Sequence, residues 1–208
     1  MSDVFDRYYK KYDAWYDRNE FAYLSELEAI KKVLPKEVRG LEIGAGTGRF
    51  TVPLGISIGI DPSKRMIEIA KERGASMRWG SGEDLPFLDE SFEFVAIIIA
   101  LCFVKNPTKV LQEAGRVLKR NGKIIIGIID KDSFLGRFYQ KKKSGFYKKA
   151  KFFSIKEVTE LLKVAGFNKF SYYQTMSKFP EKMTSIEKPQ KGFGKGAFVV
   201  ICAQKHTM

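Results

Sequence analysis

Three glycines and two carboxylates form the pattern in this chain most able to bind a ligand. Gly44, Gly46 and Gly48 follow a short apolar stretch. Glu42 stands two positions before the first glycine, and Asp61 follows nineteen positions after Glu42. Glycines at this spacing allow positive φ angles and let a ligand lie against bare backbone, typically where a strand of an open α/β sheet ends. The pattern therefore favours a nucleotide-like ligand.

The glycine spacing differs from that of a dinucleotide site. A GxGxxG fingerprint would place its third glycine at position 49, where this chain has Arg49. Glu42 is a poor neighbour for a pyrophosphate and a reasonable one for a cationic ligand. Asp61 can accept hydrogen bonds from both hydroxyls of a ribose. Ribose with positive charge and no phosphate favours S-adenosylmethionine over NAD.

These residues can lie close together only in an α/β fold in which the carboxyl ends of several parallel strands lie at the same end of the sheet. Strand and helix patterns alternate from residue 39 to residue 129, which predicts a mainly parallel sheet covered on both faces. The strand predicted at 92–100 is almost wholly apolar, as a strand buried on both faces must be. Further strands are predicted at 39–43, 56–61, 76–80, 123–129, 169–174 and 196–203, and helices are predicted at 4–34 with a break at Asn19 and after Ser63, Asn106 and Ser154. The helix after Asn106 is expected to run through Leu118 and to end at Asn121, and residues 131–153 show no regular pattern.

The chain is expected to form one domain over residues 1–208. The expected parts are an N-terminal helical cover at 1–34, a cofactor-binding core at 35–130, a variable substrate lid at 131–153, and a C-terminal helix with the last strands at 154–208.

At this point the chain resembles the class I S-adenosylmethionine-dependent methyltransferases, most closely the small-molecule subgroup that includes the ubiquinone and menaquinone methylating enzymes. The resemblance implies a doubly wound, mainly parallel, seven-stranded Rossmann-like sheet with an antiparallel C-terminal edge strand and an N-terminal helical extension. The segments that carry it are Glu42 to Gly48, Gly59 to Ser63 with Met66 and Ile67, Gly82 to Phe87, Ser91 to Val95, Glu113 to Lys119, and Leu161 to Phe167.

The resemblance also implies a role for each matched position. The cofactor would be S-adenosyl-L-methionine, and no metal is expected. The helix after Gly48 is expected to be short because Pro53 and Gly55 follow closely. The implied contacts are the Gly44, Gly46 and Gly48 loop with the methionine end, Glu42 with its ammonium, Asp61 with the ribose, Pro62 with the adenine, Gly82 and Glu83 with the adenine edge, the backbone near Ile98 beneath the methionine, and Ser81 where the family often has an aspartate for the adenine amino group.

The N-terminal segment is rich in aromatic residues at helical spacing. Aromatic faces favour a sulfonium or an amine, so this segment could cover the cofactor and line the acceptor site. Packing of an amphipathic helix explains the same pattern. Tyr12 and Tyr16 are the candidate hydroxyls near the substrate.

The positive charge of the chain is concentrated at its C-terminal end. The net charge is +13, and residues 131–208 hold 17 basic against 5 acidic side chains, whereas residues 1–130 hold 20 against 19. Basic residues interleaved with aromatics at 131–153 could bind RNA or form a lid over a small pocket. We favour the lid because no separate RNA-binding module is present. The residues concerned are Phe134, Phe138, Tyr139, Lys141, Lys142, Lys143, Phe146, Tyr147, Lys148, Lys149 and Phe152.

Other chemistries find little support in the sequence. The one histidine, His206, is expected in a disordered tail, which leaves no histidine base or histidine metal centre. Cys102 and Cys202 lack CxxC spacing. Cys102 and Phe103 could touch substrate, although burial in the core is favoured. No apolar run is long enough to span a membrane and no secretory signal is visible, so a cytoplasmic location is expected.

Three functions follow from these patterns. The first is a methyltransferase that acts on a small molecule by in-line displacement. The second methylates RNA or another anionic macromolecule through the basic segment, and the third binds the cofactor without turnover. An NAD enzyme ranks last. The sequence sets neither the acceptor atom nor the oligomeric state.

Overall fold

The computed structural model describes residues 2–36, 38–142 and 145–206. Its helices are α1 (Ser2–Arg18), α2 (Glu20–Lys31), α3 (Lys64–Glu72), α4 (Pro107–Val117), α5 (Phe134–Lys141) and α6 (Ile155–Val164). Its strands are β1 (Gly40–Ile43), β2 (Ile58–Asp61), β3 (Met77–Trp79), β4 (Phe92–Ile98), β5 (Leu118–Ile129), β6 (Phe167–Thr175), β7 (Gln190–Lys191) and β8 (Phe198–Lys205). Short 3₁₀ turns lie at Leu101–Phe103 and Pro180–Lys182.

The strands form one sheet in the order β3-β2-β1-β4-β5-β8-β6-β7. The first five of these are parallel neighbours, and β8 is antiparallel to both β5 and β6. The doubly wound fold and the antiparallel C-terminal strands are thus confirmed. Two details of the prediction were wrong: the sheet has eight strands, because the two-residue β7 pairs with β6, and the final strand lies inside the sheet rather than at its edge.

Both faces of the sheet are covered, which explains why the central strand is apolar throughout. Along β4, Val95 and Ile97 join a core beneath α4 and α6. Phe94, Ala96 and Ile98 point to the opposite core, which contains residues of α1, α2 and α5. Alternation along a strand sends successive side chains to opposite faces, so two helical layers require apolar residues at every position.

Three local predictions need correction. No regular helix follows Gly48: residues 49–55 form consecutive turns. Residues 131–153 were expected to lack regular structure, but Ser133 caps α5 by accepting a hydrogen bond from Gly136 N. Helix α4 was expected to run to Leu118 and stop near Asn121, whereas Leu118 already begins β5 opposite Phe92.

The predicted helix starts after Ser63, Asn106 and Ser154 and the break at Asn19 are confirmed, whereas the second N-terminal helix ends at Lys31 rather than at residue 34. The capping box of α6 is complete, with Ser154 Oγ accepting from Glu157 N at 3.2 Å and Glu157 Oε2 accepting from Ser154 N at 2.7 Å. None of the helices in the described part of the chain is both long enough and apolar enough to cross a bilayer.

Candidate functional site

The glycine loop lies at the carboxyl end of β1, where parallel strands of an open sheet form a ligand-binding crevice. Gly44, Gly46 and Gly48 have φ angles of 73°, 54° and 75°, a region that favours glycine. Space matters as well, since a Cβ at position 44 would lie 2.4 Å from Ala100 Cβ. A Cβ at position 46 would meet only Tyr12, at 3.7 Å from its Cε1. The loop thus presents bare backbone directly beneath α1.

Asp61 is fixed by the loop beside it. Its Oδ2 accepts a hydrogen bond from Gly46 N at 2.9 Å, and its Oδ1 accepts from Ser63 N at 2.8 Å. Burial raises the pKa of Asp61 to about 6, although both hydrogen bonds favour the charged form. The carboxylate is therefore held rigidly at the carboxyl end of β2.

Glu42 lies in the neighbouring strand and is only 1% exposed. Its Oε2 accepts a hydrogen bond from Thr51 Oγ1 at 2.5 Å. Burial raises the pKa of Glu42 to about 8, and the nearby charge of Asp61 adds to the effect. Two buried carboxylates on adjacent strands repel each other, so a cation bound near them would be electrostatically favoured.

The other predicted contact residues lie along the same edge of the sheet, after β2, β3 and β4. Pro62 is exposed, and its carbonyl accepts from Trp79 Nε1 at 3.1 Å. Gly82 is buried, and it lies so near Ile43 that a Cβ at position 82 would be 2.6 Å from Ile43 Cγ2. The Ile98 side chain is 3% exposed and belongs to the core, so only its backbone is free to face a ligand.

Ser81 and Glu83 interact with each other instead of standing free. The Ser81 hydroxyl donates to Glu83 Oε2. Glu83 Oε1 accepts from Lys105 N at 2.9 Å and from Asn106 N at 3.3 Å. The carboxylate of Glu83 thus ties the segment after β3 to the N-terminus of α4.

Helix α1 is fastened over this edge by aspartates. Ser63 Oγ donates to Asp6 at 2.6 Å, and Thr47 Oγ1 donates to Asp13 at 2.6 Å. Arg49 donates to Asp13 and Asp17, and Arg73 also donates to Asp13. Although burial acts in the opposite direction, these partners lower the pKa of Asp13 to about 2. Arg49, which breaks the dinucleotide pattern in the sequence, is therefore a fastening point for the N-terminal helix.

A cavity of about 630 Å³ is lined in part by Tyr12, whose ring is the group that a Cβ at position 46 of the glycine loop would meet. Its walls are mostly aromatic and come from α1, α2, the ends of β4 and β5, α5, and residues 145–153 and 176–181. The lining side chains are Tyr8, Lys11, Tyr12, Trp15, Tyr16, Arg18, Asn19, Glu26, Ile99, Cys102, Phe103, Ile128, Ile129, Leu135, Phe138, Tyr139, Lys142, Phe146, Tyr147, Phe152, Phe153, Met176, Phe179 and Glu181.

Tyr12 and Tyr16 meet at the inner wall of this cavity. Their hydroxyl oxygens are 2.8 Å apart, and burial raises the pKa of both phenols. Ile99, just beyond β4, also lines the wall and has a φ angle of 52°, which is strained for a β-branched residue. Because Tyr12 faces both Gly46 and the cavity, the cavity adjoins the glycine loop.

Described residues of the segment 131–153, where a lid was expected, line the same cavity. Phe146, Tyr147 and Phe152 contribute to its wall, and Lys142 Nζ lies 4.6 Å from the ring centroid of Phe138. Lys143 lies outside the described residues. Cys102, for which burial was favoured, lines the cavity together with Phe103, and burial raises the pKa of its thiol to about 12.

Comparison with known proteins identifies the family. The family described as a methyltransferase domain matches residues 41–126. An uncharacterized protein of Methanocaldococcus jannaschii is 53% identical over 205 residues, 98% of this chain and 99% of the relative. An S-adenosylmethionine-dependent methyltransferase of Thermotoga maritima, described as a possible histamine N-methyltransferase, is 50% identical with a TM-score of 0.96, covering 99% of this chain and 100% of that one.

The chain belongs to the S-adenosylmethionine-dependent methyltransferases. The demethylmenaquinone methyltransferase of Alkalihalophilus pseudofirmus is a more distant relative of this enzyme, 31% identical over 143 residues that cover 60% of each chain. The predicted fold, enzyme class and cofactor are thus confirmed.

His206 of this methyltransferase lies away from the cavity. Its backbone N donates to Gly166 O at 2.8 Å, and its Nδ1 is 2.8 Å from Asn168 Nδ2, so the expectation of a disordered tail was wrong. The end of β8 pairs with the start of β5, at the edge of the sheet opposite the glycine loop. Within residues 2–36, 38–142 and 145–206, no group of three or more His, Cys, Asp or Glu side chains is arranged to hold a metal.

Glu26 is one of several cavity residues that the sequence reasoning missed. Glu26 of α2 is 0% exposed, and within the described residues neither of its carboxylate oxygens has a hydrogen-bond partner. The signal was present: Ala22, Glu26 and Ile30 repeat at four-residue steps, which puts the charge on the buried stripe of the helix.

Proposed function

We propose that this methyltransferase transfers the methyl group of S-adenosylmethionine to a small molecule bound in the aromatic cavity. The observation that carries this proposal is the position of the cavity, which shares Tyr12 with the glycine loop and has a volume of about 630 Å³. Sites for small ligands commonly have volumes of roughly 300 to 1,000 Å³. The acceptor would then meet the methyl group where both sites adjoin.

The residues at the sheet edge fit the cofactor. The positive-φ glycine loop leaves backbone open to a ligand, and two buried carboxylates with raised pKa values suit a ligand that carries positive charge. When bound, the cofactor supplies a methyl group already activated on a sulfonium. In the proposed site, Glu42 binds the ammonium, Gly44, Gly46 and Gly48 support the methionine part, the Ile98 backbone lies beneath it, Asp61 binds the ribose, and Pro62, Ser81, Gly82 and Glu83 surround the adenine.

In this proposal the protein orients the two ligands and excludes water, which is the main requirement of an in-line transfer. Helix α1 forms the cover, consistent with the proposed division of a single domain into a cover at 1–34, a cofactor core at 35–130, a lid at 131–153 and a C-terminal part at 154–208. The raised pKa values of Tyr12 and Tyr16 keep both phenols protonated. One hydroxyl donates to the other, so the remaining hydroxyl hydrogen serves as a hydrogen-bond donor near the acceptor.

The inward-facing lid favours a small acceptor over RNA. Lys142 is placed over the rings of Phe138, Tyr139 and Tyr147, whose aromatic surfaces also line the cavity. Base stacking on RNA would need aromatic rings presented outward along a groove. Both cysteines are free thiols, which is compatible with the proposed cytoplasmic location.

Two measurements test the proposed function. Calorimetry should detect binding of S-adenosylhomocysteine and none of NAD, which serves as the control nucleotide. Incubation with S-adenosylmethionine and a panel of small amines, phenols and quinol precursors should release S-adenosylhomocysteine with at least one acceptor. Failure of S-adenosylhomocysteine to bind would contradict the proposed cofactor site, and turnover confined to RNA would contradict the small acceptor.

A further inference from the structure

The isolated carboxylate of Glu26 is the most unusual group in the cavity. Both of its oxygens are buried without a hydrogen-bond partner in the described part of the chain, and it forms no ion pair there. A buried polar group without a partner is costly and commonly marks a function or a missing ligand. Ser25, the preceding residue, is satisfied by Phe21 O and Glu187 N, so the helix itself is held firmly in place.

The surroundings of Glu26 suit a cation. The charge of Glu26 contributes to the raised pKa values of Tyr12, Tyr16 and Tyr139, and all three phenols line the cavity. Aromatic faces attract cations, and a carboxylate in a low-dielectric site attracts them more strongly. The basic residues of the wall, Lys11, Arg18 and Lys142, are exposed at the rim and do not neutralise it.

We propose that Glu26 binds the amino group of the methyl acceptor, and that the acceptors of this enzyme are alkylamines with an aromatic or apolar body. This inference rests on the proposed function. A neutral quinol could donate a hydrogen bond but would leave the negative charge of the carboxylate without a counter-charge. An acidic acceptor would be repelled by that charge. An alkylammonium ion satisfies the oxygens of Glu26 while its apolar body fills the aromatic walls.

The same carboxylate can prepare the amine for transfer. The bound ammonium gives one proton to Glu26, which leaves a free amine with a lone pair. That lone pair forms the N–C bond to the methyl group, while the C–S bond breaks and its electron pair stays on sulfur. Glu26 then releases its proton to solvent as the N-methylated ammonium departs. Burial raises the pKa of Glu26, so the carboxylate is better able to hold this proton than an exposed glutamate.

Matched neutral and charged probes test this inference. Calorimetry of the wild-type enzyme saturated with S-adenosylhomocysteine would compare 2-phenylethylamine, tryptamine and histamine with 2-phenylethanol. At least one amine should bind, and 2-phenylethylamine should bind at least tenfold more tightly than the alcohol of the same shape. If S-adenosylhomocysteine binds but no amine does, or the alcohol equals its amine, the assignment of Glu26 is overturned while the methyltransferase site stands.

Variants of α2 provide the second arm. Glu26→Gln should lower the affinity for the bound amine at least tenfold and abolish its N-methylation, while S-adenosylhomocysteine binds as in the wild type. Retained cofactor-product binding also shows that the variant is folded. Glu28→Gln is the matched control, because Glu28 lies on the same helix but is exposed and paired with Lys31. Equal amine affinity in wild type and Glu26→Gln would overturn the inference.

Discussion

The proposed contact between Glu42 and the ammonium of the cofactor implies that cofactor affinity depends on pH. The Glu42 carboxylate must be ionised to attract an ammonium, and burial raises its pKa to about 8. The ionised fraction of Glu42 should rise from roughly 1% at about pH 6 to roughly half at about pH 8, so the affinity for S-adenosylhomocysteine should rise by up to about fiftyfold. Asp61, with a pKa of about 6, adds to the rise at the acidic end of this range.

Calorimetry across this pH range tests the expectation. Glu42→Gln should bind more weakly and lose most of the dependence above about pH 7. An unchanged affinity across the range in the wild type would rule out Glu42 as the partner of the ammonium.

Glu26 should affect stability as well as binding. In the enzyme without a bound amine, the raised pKa of Glu26 means that the folded state holds a proton that the unfolded chain releases above about pH 4.3, the ordinary value for glutamate. The free energy of unfolding thus falls as pH rises above that value. Glu26→Gln removes this loss and should be more stable at pH 8 by on the order of 1 to 3 kcal/mol.

Thermal unfolding at several pH values measures this effect. The difference between Glu26→Gln and wild type should shrink towards pH 4, and Glu28→Gln should show no such trend. A variant less stable than wild type at pH 8 would contradict the uncompensated burial of Glu26. A stabilising substitution that removes activity is typical of functional residues.

Residues within a short motif could be predicted, whereas the weaker signal for Glu26, its place on the buried stripe of α2, was missed. The spacing of Gly44, Gly46 and Gly48 predicts a turn with positive φ angles, and the structure has that turn. Glu26 resembles many surface glutamates of helices in sequence. Its burial depends on which side of α2 packs against the sheet, which is set by contacts far away in the chain.

Among the elements, α1 depends most on a few polar contacts. Asp13 accepts from Thr47, Arg49 and Arg73, and its carboxylate is only 18% exposed. Asp13→Asn should cost roughly 1 to 3 kcal/mol of local stability, because two guanidinium groups lose their shared partner. We expect faster amide hydrogen exchange along α1 and weaker binding of S-adenosylhomocysteine.

Asp17→Asn is the control for this prediction. Asp17 also pairs with Arg49, but its side chain is 64% exposed, so its loss should matter little. Equal exchange rates in the Asp13 and Asp17 variants would show that α1 is held by its aromatic contacts alone.

The first residue of a helix was predictable wherever a short capping motif precedes it. Ser154 with Glu157, and Asn106 with Pro107, mark helix starts that the structure confirms. The position of β8 between β5 and β6 depends on pairing across the whole chain, and β7 has only two residues. Neither leaves a periodic pattern in the sequence. The apolar spacing after Gly48 was too short to distinguish a helix from the turns that form there.

At the scale of the molecule, the charge of +13 distinguishes the acceptor classes. A positively charged protein repels a cationic amine at long range, and salt screens that repulsion. The kcat/KM for an amine should therefore stay constant or rise by about twofold between low and physiological salt. Methylation of RNA would instead fall steeply, because binding releases counterions. Steady-state rates at several salt concentrations decide between the two, and a steep fall would contradict an amine acceptor.

The position of helix α1 implies that the cofactor and the acceptor both enter and leave when this helix lifts. Tyr12 lies over Gly46 on one side and forms the cavity wall on the other, so the helix that admits the cofactor also completes the acceptor site. With the cofactor bound as proposed, we expect it to enter first and its spent form to leave last, in a compulsory order. Turnover would be limited by the lifting of α1 at product release rather than by the breaking of the C–S bond.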